Sequence, residues 1–332
     1  MKPSPPPATW ISQEPGEERY VLLHGMVMAP CFWQTYAPPI TRRGATVAYP
    51  LPGHAPWLLE GAQTAITREM LTDQLAAAIR RDFDGKPVVL IGHSTGGFTA
   101  LLLALAHPDL VKSIVLIGAF ACGRFDGQER LAARLLRIPH LGPLLFRQFF
   151  RRWTATSERF RWGSIECVFD KSCPWEDEIA IRTMDAVRHH LLRARPDEIA
   201  ACIQFMSSTS LLQELSSVAK PVLNIIGAND EIVPPPHQLR LSRLIAGAQT
   251  VILRNCGHLP MVEHREMTDT LIEGFLRSPP GSRGFRDAAI GATFRLTDLE
   301  LQDGQVLHQP GKTEQSQSDG VLRAPRRAMT QG

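Results

Sequence analysis

An α/β architecture, a mostly parallel sheet with helices on both faces, is expected from three observations. Short apolar segments alternate with helical ones over residues 20–120. Two further apolar segments, at 221–226 and 250–253, resume the pattern after a long interval that contains no clear strand. Residues able to do chemistry recur just beyond the ends of these segments. Ligands in open α/β sheets bind at that edge.

The elements follow in order. Tyr20-Val21-Leu22-Leu23 reads as a buried strand that stops at His24-Gly25-Met26, and Val47-Ala48-Tyr49 as a second. Residues 69–83 read as a helix, with Met70, Leu71, Leu75, Ala78 and Ile79 on one apolar face. Val88-Val89-Leu90-Ile91 is the next strand; it ends at Gly92, and a small-residue helical segment begins near Phe98. Ser113-Ile114-Val115-Leu116-Ile117 follows. Residues 121–219 then show only amphipathic helical stretches, at 128–136, 143–153, 176–192 and 196–206. Pro221-Val222-Leu223-Asn224-Ile225-Ile226 and Thr250-Val251-Ile252-Leu253 complete the sheet. Beyond Pro279-Pro280-Gly281-Ser282 too little apolar surface remains to offset ordering entropy, so 279–332 is expected to be a disordered tail.

The most informative stretch is Gly92-His93-Ser94-Thr95-Gly96-Gly97. It places G-x-S-x-G between a strand and a helix, the context in which a tight turn lifts one hydroxyl above the sheet. A serine hydroxyl is a weak nucleophile near neutral pH, so an imidazole must take its proton. His258 follows the last strand in Asn255-Cys256-Gly257-His258, and Asp230 follows the preceding one in Gly227-Ala228-Asn229-Asp230. Asp230 is then the group that orients His258, in the chain order Ser, Asp, His. The backbone N–H groups of Met26 and Thr95 are the expected oxyanion donors. Each assignment has a rival: Ser94 as a small turn residue, Glu231 for Asp230, and His264 for His258. His24 is expected to shape the oxyanion loop. His54 is read as structural or pocket-lining, and Cys31 and Cys256 as small buried residues.

Together, Leu23-His24-Gly25, Leu51-Pro52-Gly53-His54, the Ser94 elbow, Gly227-Ala228-Asn229-Asp230 and Gly257-His258 resemble the α/β-hydrolase superfamily over residues 18–278. The resemblance implies the α/β-hydrolase fold with a core at 18–120 and 220–278. It also implies a helical lid inserted at 121–219, an N-terminal extension at 1–17, and Thr9-Trp10-Ile11 as the remnant of an opening antiparallel strand. The stretch Tyr49 to Trp57 departs from many relatives, which carry Asp near Tyr49 and Gly-Ser after His54. What the resemblance implies for function is a serine hydrolase. It would cleave an ester, lactone, thioester or related acyl bond of a small-molecule substrate through an acyl-enzyme. Acyltransferase, C–C bond hydrolase and cofactor-free haloperoxidase or perhydrolase activities share that triad, and a hydrolase-like receptor with little turnover is the alternative of another class. His24, Gly25, His93, Trp153 and Trp162 are candidates to line the pocket, and the insertion's aromatic residues favour an apolar or aromatic acyl group.

Composition agrees with an enzyme of this kind. The 332 residues are 44% hydrophobic and 21% charged, enough for a sizeable core. A net charge of +3 gives no case for nucleic acid binding. Six cysteines lack any C-x-x-C pair, the N-terminus lacks a signal-peptide pattern, and no run reaches the ~18 apolar residues of a membrane span. A cytoplasmic enzyme needing no metal or organic cofactor is expected, with its oligomeric state unspecified.

Overall fold

The computed structural model describes residues 4–59, 65–125, 128–129, 131–138, 141–277, 301–302 and 305–306. Chain order runs β1 (Thr9–Gln13), β2 (Arg19–Leu23), α1 (Phe32–Tyr36), β3 (Ala45–Tyr49), α2 (Arg68–Phe83), β4 (Val88–His93), α3 (Thr95–Ala106) and β5 (Val111–Ile117). The insertion holds β6 (Arg124–Phe125), β7 (Gln128–Glu129), α4 (Leu131–Leu136), α5 (Leu141–Thr154), α6 (Ser157–Ser164), α7 (Cys173–Glu176), α8 (Glu178–Leu191) and α9 (Pro196–Ser208). The core then resumes with β8 (Val222–Gly227), α10 (Pro235–Leu244), β9 (Gln249–Leu253), α11 (Pro260–Glu263) and α12 (Arg265–Arg277).

Seven strands form one sheet in the order β1-β3-β2-β4-β5-β8-β9. All neighbours are parallel except β1, which runs antiparallel on β3. The stretch 1–17 thus contributes an edge strand to the core. Every residue of β4 and of β8 is buried, as expected where helices cover both faces of a parallel sheet. Alternate side chains feed two cores. Val21, Leu23 and Leu90 pack with Leu71, Leu75, Phe98 and Leu102 of α2 and α3; Tyr20, Leu22 and Ile91 pack with Phe32, Trp33, Leu271 and Phe275 of α1 and α12. The register pairs Leu23 with Gly92, and Gly92 with Leu116, so the C-terminal ends of these strands meet along one edge.

The insertion differs from the sequence pattern in two places. The helix expected at 128–136 is present only from Leu131, because Gln128–Glu129 pairs antiparallel with Arg124–Phe125. The helix expected at 176–192 is broken at Asp177, whose carboxylate accepts the N–H groups of Ile179 and Ala180 and so caps α8. The tail expected beyond 279 lies outside the described residues, apart from the pairing of β10 (Leu301–Gln302) with β11 (Gln305–Val306).

Candidate active site

Ser94 stands between β4 and α3 with φ +53° and ψ −116°, a conformation that side chains rarely adopt. Close packing of three chain segments holds it there. A Cβ on Gly92 would lie 2.5 Å from the Gly96 carbonyl oxygen, and a Cβ on Gly96 would collide with the carbonyl of Leu23. The Ser94 N–H donates to the Ile117 carbonyl at 2.9 Å, which ties the turn to the neighbouring strand. Thr95 opens α3, where the first N–H groups lack intrahelical acceptors and the helix dipole is positive.

The loop after β2 is braced by two histidines. The Leu51 N–H donates to His24 Nε2 at 3.2 Å, and the Val27 N–H donates to His54 Nε2 at 3.1 Å. Both rings therefore carry their proton on Nδ1, from which His24 donates to the Gly25 carbonyl and His54 to the Pro52 carbonyl. Burial holds the pKa of His24 well below its ordinary value, with the His54 ring adding to the effect, and lowers that of His54 to about 4. Val27 is held at φ +53°.

On the other side, Asp230 accepts four hydrogen bonds. Its Oδ1 takes the N–H groups of Ile232 and Val233, both at 2.8 Å. Its Oδ2 takes His258 Nδ1–H at 2.8 Å and Gln238 Nε2–H at 2.9 Å. His258 and Ser94 face one cavity of about 310 Å³. The His258 N–H donates to the Cys167 carbonyl at 2.8 Å, and Glu263 accepts from both Gly257 N–H and Phe169 N–H. His258 thus rests on the segment 121–219 as well as on the sheet. His93 Nε2–H donates to the His258 carbonyl at 2.9 Å, with the two rings 4.7 Å apart.

Gly25, Met26, His93 and Trp153 line the cavity, with Phe160, Met184 and Val187; among the described residues no Asp, Glu, Lys or Arg does. Two expected lining residues do not. His24 is fully buried behind Gly25, with both ring nitrogens committed to the backbone. Trp162 is 58% exposed and packs its ring on Trp175 instead. The rivals also lie elsewhere: Glu231 is exposed and pairs with Lys171, and His264 bonds the Asn255 carbonyl. Cys31 and Cys256 are buried thiols whose pKa burial raises. Sequence reading did not find Gln238 or Glu263. Their only signal is a polar residue on the helix that follows each motif. Among the described residues no cluster of His, Cys, Asp or Glu is placed to hold a metal ion. No described helix is long and apolar enough to cross a membrane.

Two outcomes follow from this geometry. Gln238→Leu should lower kcat about 5- to 30-fold with KM nearly unchanged, the effect of roughly 1–2 kcal/mol from one lost hydrogen bond to the Asp230 carboxylate. Equal losses in kcat and in thermal stability across Gln238→Leu and Gln238→Asn would instead mark a purely structural role. The second outcome concerns pH. The folded pKa of His54, about 4, lies below its unfolded value near 6.5. The unfolded chain therefore binds more protons between those values, and this stability is complete above pH 6.5 and lost as pH falls toward 4. The loss is on the order of 3 kcal/mol for His54, and His24 and His93 act in the same direction. Urea unfolding at pH 7 and 4.5 should show it, and His54→Leu should flatten the slope.

Comparison with known proteins agrees with the fold. Residues 20–270 match the family described as the alpha/beta hydrolase family. The chain is 28% identical over 259 residues to a pimeloyl-[acyl-carrier protein] methyl ester esterase of Aromatoleum aromaticum, covering 77% of this chain and 97% of that one. It is 28% identical over 267 residues to a 2-hydroxy-6-oxononadienedioate/2-hydroxy-6-oxononatrienedioate hydrolase of Cupriavidus pinatubonensis, covering 79% and 87%. Among solved structures, the enol-lactonase from Burkholderia xenovorans superposes with a TM-score of 0.63 at 18% identity, covering 82% of this chain and 96% of that one. With a mostly parallel sheet, a strained serine turn at its edge and a family match across most of its length, this chain belongs to the alpha/beta hydrolase family.

Proposed function

We propose that the chain is a serine hydrolase of neutral carboxylic esters with an apolar acyl group, and that Ser94, His258 and Asp230 are its catalytic triad. The observation that carries this reading is the shared cavity: Ser94 and His258 open onto it, Asp230 backs His258, and among the described residues no Asp, Glu, Lys or Arg lines it. Ser94 Oγ attacks the acyl carbonyl while His258 Nε2 takes its proton. Asp230 holds the opposite nitrogen protonated and stabilises the imidazolium. The oxyanion is received by the Thr95 N–H at the start of α3 and by the Met26 N–H. His54 occupies the neighbouring Val27 N–H, which leaves that of Met26 as the loop's donor. The imidazolium then protonates the leaving alcohol, and water repeats the sequence to release the acid. Residues 121–219 serve as the lid, since Trp153, Phe160, Met184 and Val187 come from it.

The relatives' names point to two reactions, ester cleavage and hydrolysis of a dienedioate. A dienedioate carries two carboxylates, and a cavity without a cation would leave them desolvated and unpaired. Ester cleavage is therefore the reading adopted for this chain.

Replacing Ser94 with Ala should lower kcat by about a millionfold, and a fluorophosphonate should label the wild type alone. Full turnover by the Ser94→Ala protein would remove the mechanism. Acyl preference is a separate measurement. Each buried methylene contributes about 0.8 kcal/mol, so the four extra methylenes of hexanoyl esters should raise kcat/KM over that for acetyl esters by about 200-fold if all are buried. Succinyl hemiesters, which carry a free carboxylate, should be poor substrates. A preference for the succinyl series would show that a cation reaches the site.

A further inference from the structure

The outward face of α5 is apolar where a solvent-facing helix is ordinarily polar. Leu141, Leu144, Leu145 and Phe149 recur at helical spacing and are 48, 45, 39 and 62% exposed, and Ile138, just ahead of the helix, is 43% exposed. The inward face of the same helix buries Phe146 and Phe150, and its Trp153 lines the catalytic cavity. Helix α5 is therefore apolar on both sides. Contiguous exposed apolar surface of this kind marks an interaction site.

Charge narrows the choice of partner. Residues 131–154 contain Arg134, Arg137, Arg147, Arg151 and Arg152 and no Asp or Glu. Arg147 is held by Asp197 of α9, whereas Arg134, Arg151 and Arg152 are exposed beside the apolar strip. A protein partner anchors best where a side chain finds a socket. The strip lines neither the catalytic cavity nor the second cavity beside Tyr20 and Phe275. Raised Leu and Phe side chains flanked by arginines suit the boundary between anionic headgroups and acyl chains.

We infer that the α5 face of the insertion docks on an anionic lipid bilayer, Leu141, Leu144, Leu145 and Phe149 entering the headgroup boundary while Arg151 and Arg152 pair with lipid phosphates. The docked helix then has lipid on one side and, through Trp153, the catalytic cavity on the other, a separation of roughly one helix diameter, ~10 Å. An apolar ester dissolved in the bilayer is thereby presented close to Ser94. Docking itself requires no turnover.

Flotation of the full chain with phosphatidylcholine vesicles, with and without phosphatidylglycerol, tests the inference. The protein should float with the anionic vesicles at low salt, detach at high salt, and do so equally as wild type and as Ser94→Ala. The Leu145→Ser/Phe149→Ser variant should lose at least about tenfold in the bound-to-free ratio, and Arg151→Gln/Arg152→Gln should lose the preference for phosphatidylglycerol. Turnover of a water-soluble butyryl ester should be unchanged in both variants. Absence of flotation, or flotation indifferent to these substitutions, overturns the inference. Sedimentation velocity showing a dimer that Leu145→Ser/Phe149→Ser dissociates would assign the strip to a second copy of this chain. Retention on an immobilised acidic protein without any binding to vesicles would assign it to a protein partner. Because binding is read without chemistry, failure here leaves the ester hydrolase reading intact, and failure of Ser94 labelling leaves the docking result intact.

Discussion

The site depends on one close approach: the end of β2, the turn after β4 and the first turn of α3 converge on a volume with no room for a side chain at Gly92 or Gly96. That contact holds Ser94 at positive φ. It also brings the loop after Leu23 alongside the N-terminus of α3, so Met26 and Thr95 lie on neighbouring segments. Strain in one residue is sustained by the buried sheet on both sides, where β4 is covered along its whole length.

A second set of constraints works through neutral histidines. His24 and His54 accept backbone N–H groups on one ring nitrogen and donate to carbonyls from the other, which only the neutral form can do. Desolvation keeps them neutral, so the loop's geometry is a product of burial. His93 acts the same way on the opposite wall, where its ring supports the carbonyl of His258. Asp230 differs in kind: its four donors come from its own loop, from α10 and from the residue it orients.

Much of this was legible in the sequence because strands end where chemistry begins. Ser94, Asp230 and His258 each follow a short apolar run, and the order of the runs gives the order of the residues along one sheet edge. What pattern does not contain is the side-chain partner. Gln238 lies eight residues beyond Asp230 on a helix whose polar positions look alike until the chain folds back. The pairing of His54 with Val27 spans 27 residues and depends on two separate loops meeting. The place of Trp162 is hidden for a related reason: a tryptophan count in an insertion says nothing about which helix face turns inward, and this ring packs at a tilt against Trp175, largely exposed. The break at Asp177 was readable as a cap, yet helical periodicity on both sides concealed it.

The hydrogen bonds joining the His258 loop to residues 167–169 bear on how firmly that flank of the cavity is held. Cys167 carries the carbonyl that receives the His258 N–H, and Phe169, two residues on, gives its own N–H to the carboxylate that also holds Gly257. Swinging residues 167–169 outward would part these bonds together and strand a half-buried carboxylate. The loop bearing His258 would slacken in the same movement. This flank is a hinge post rather than a door: displacing it breaks two hydrogen bonds to the His258 loop at once.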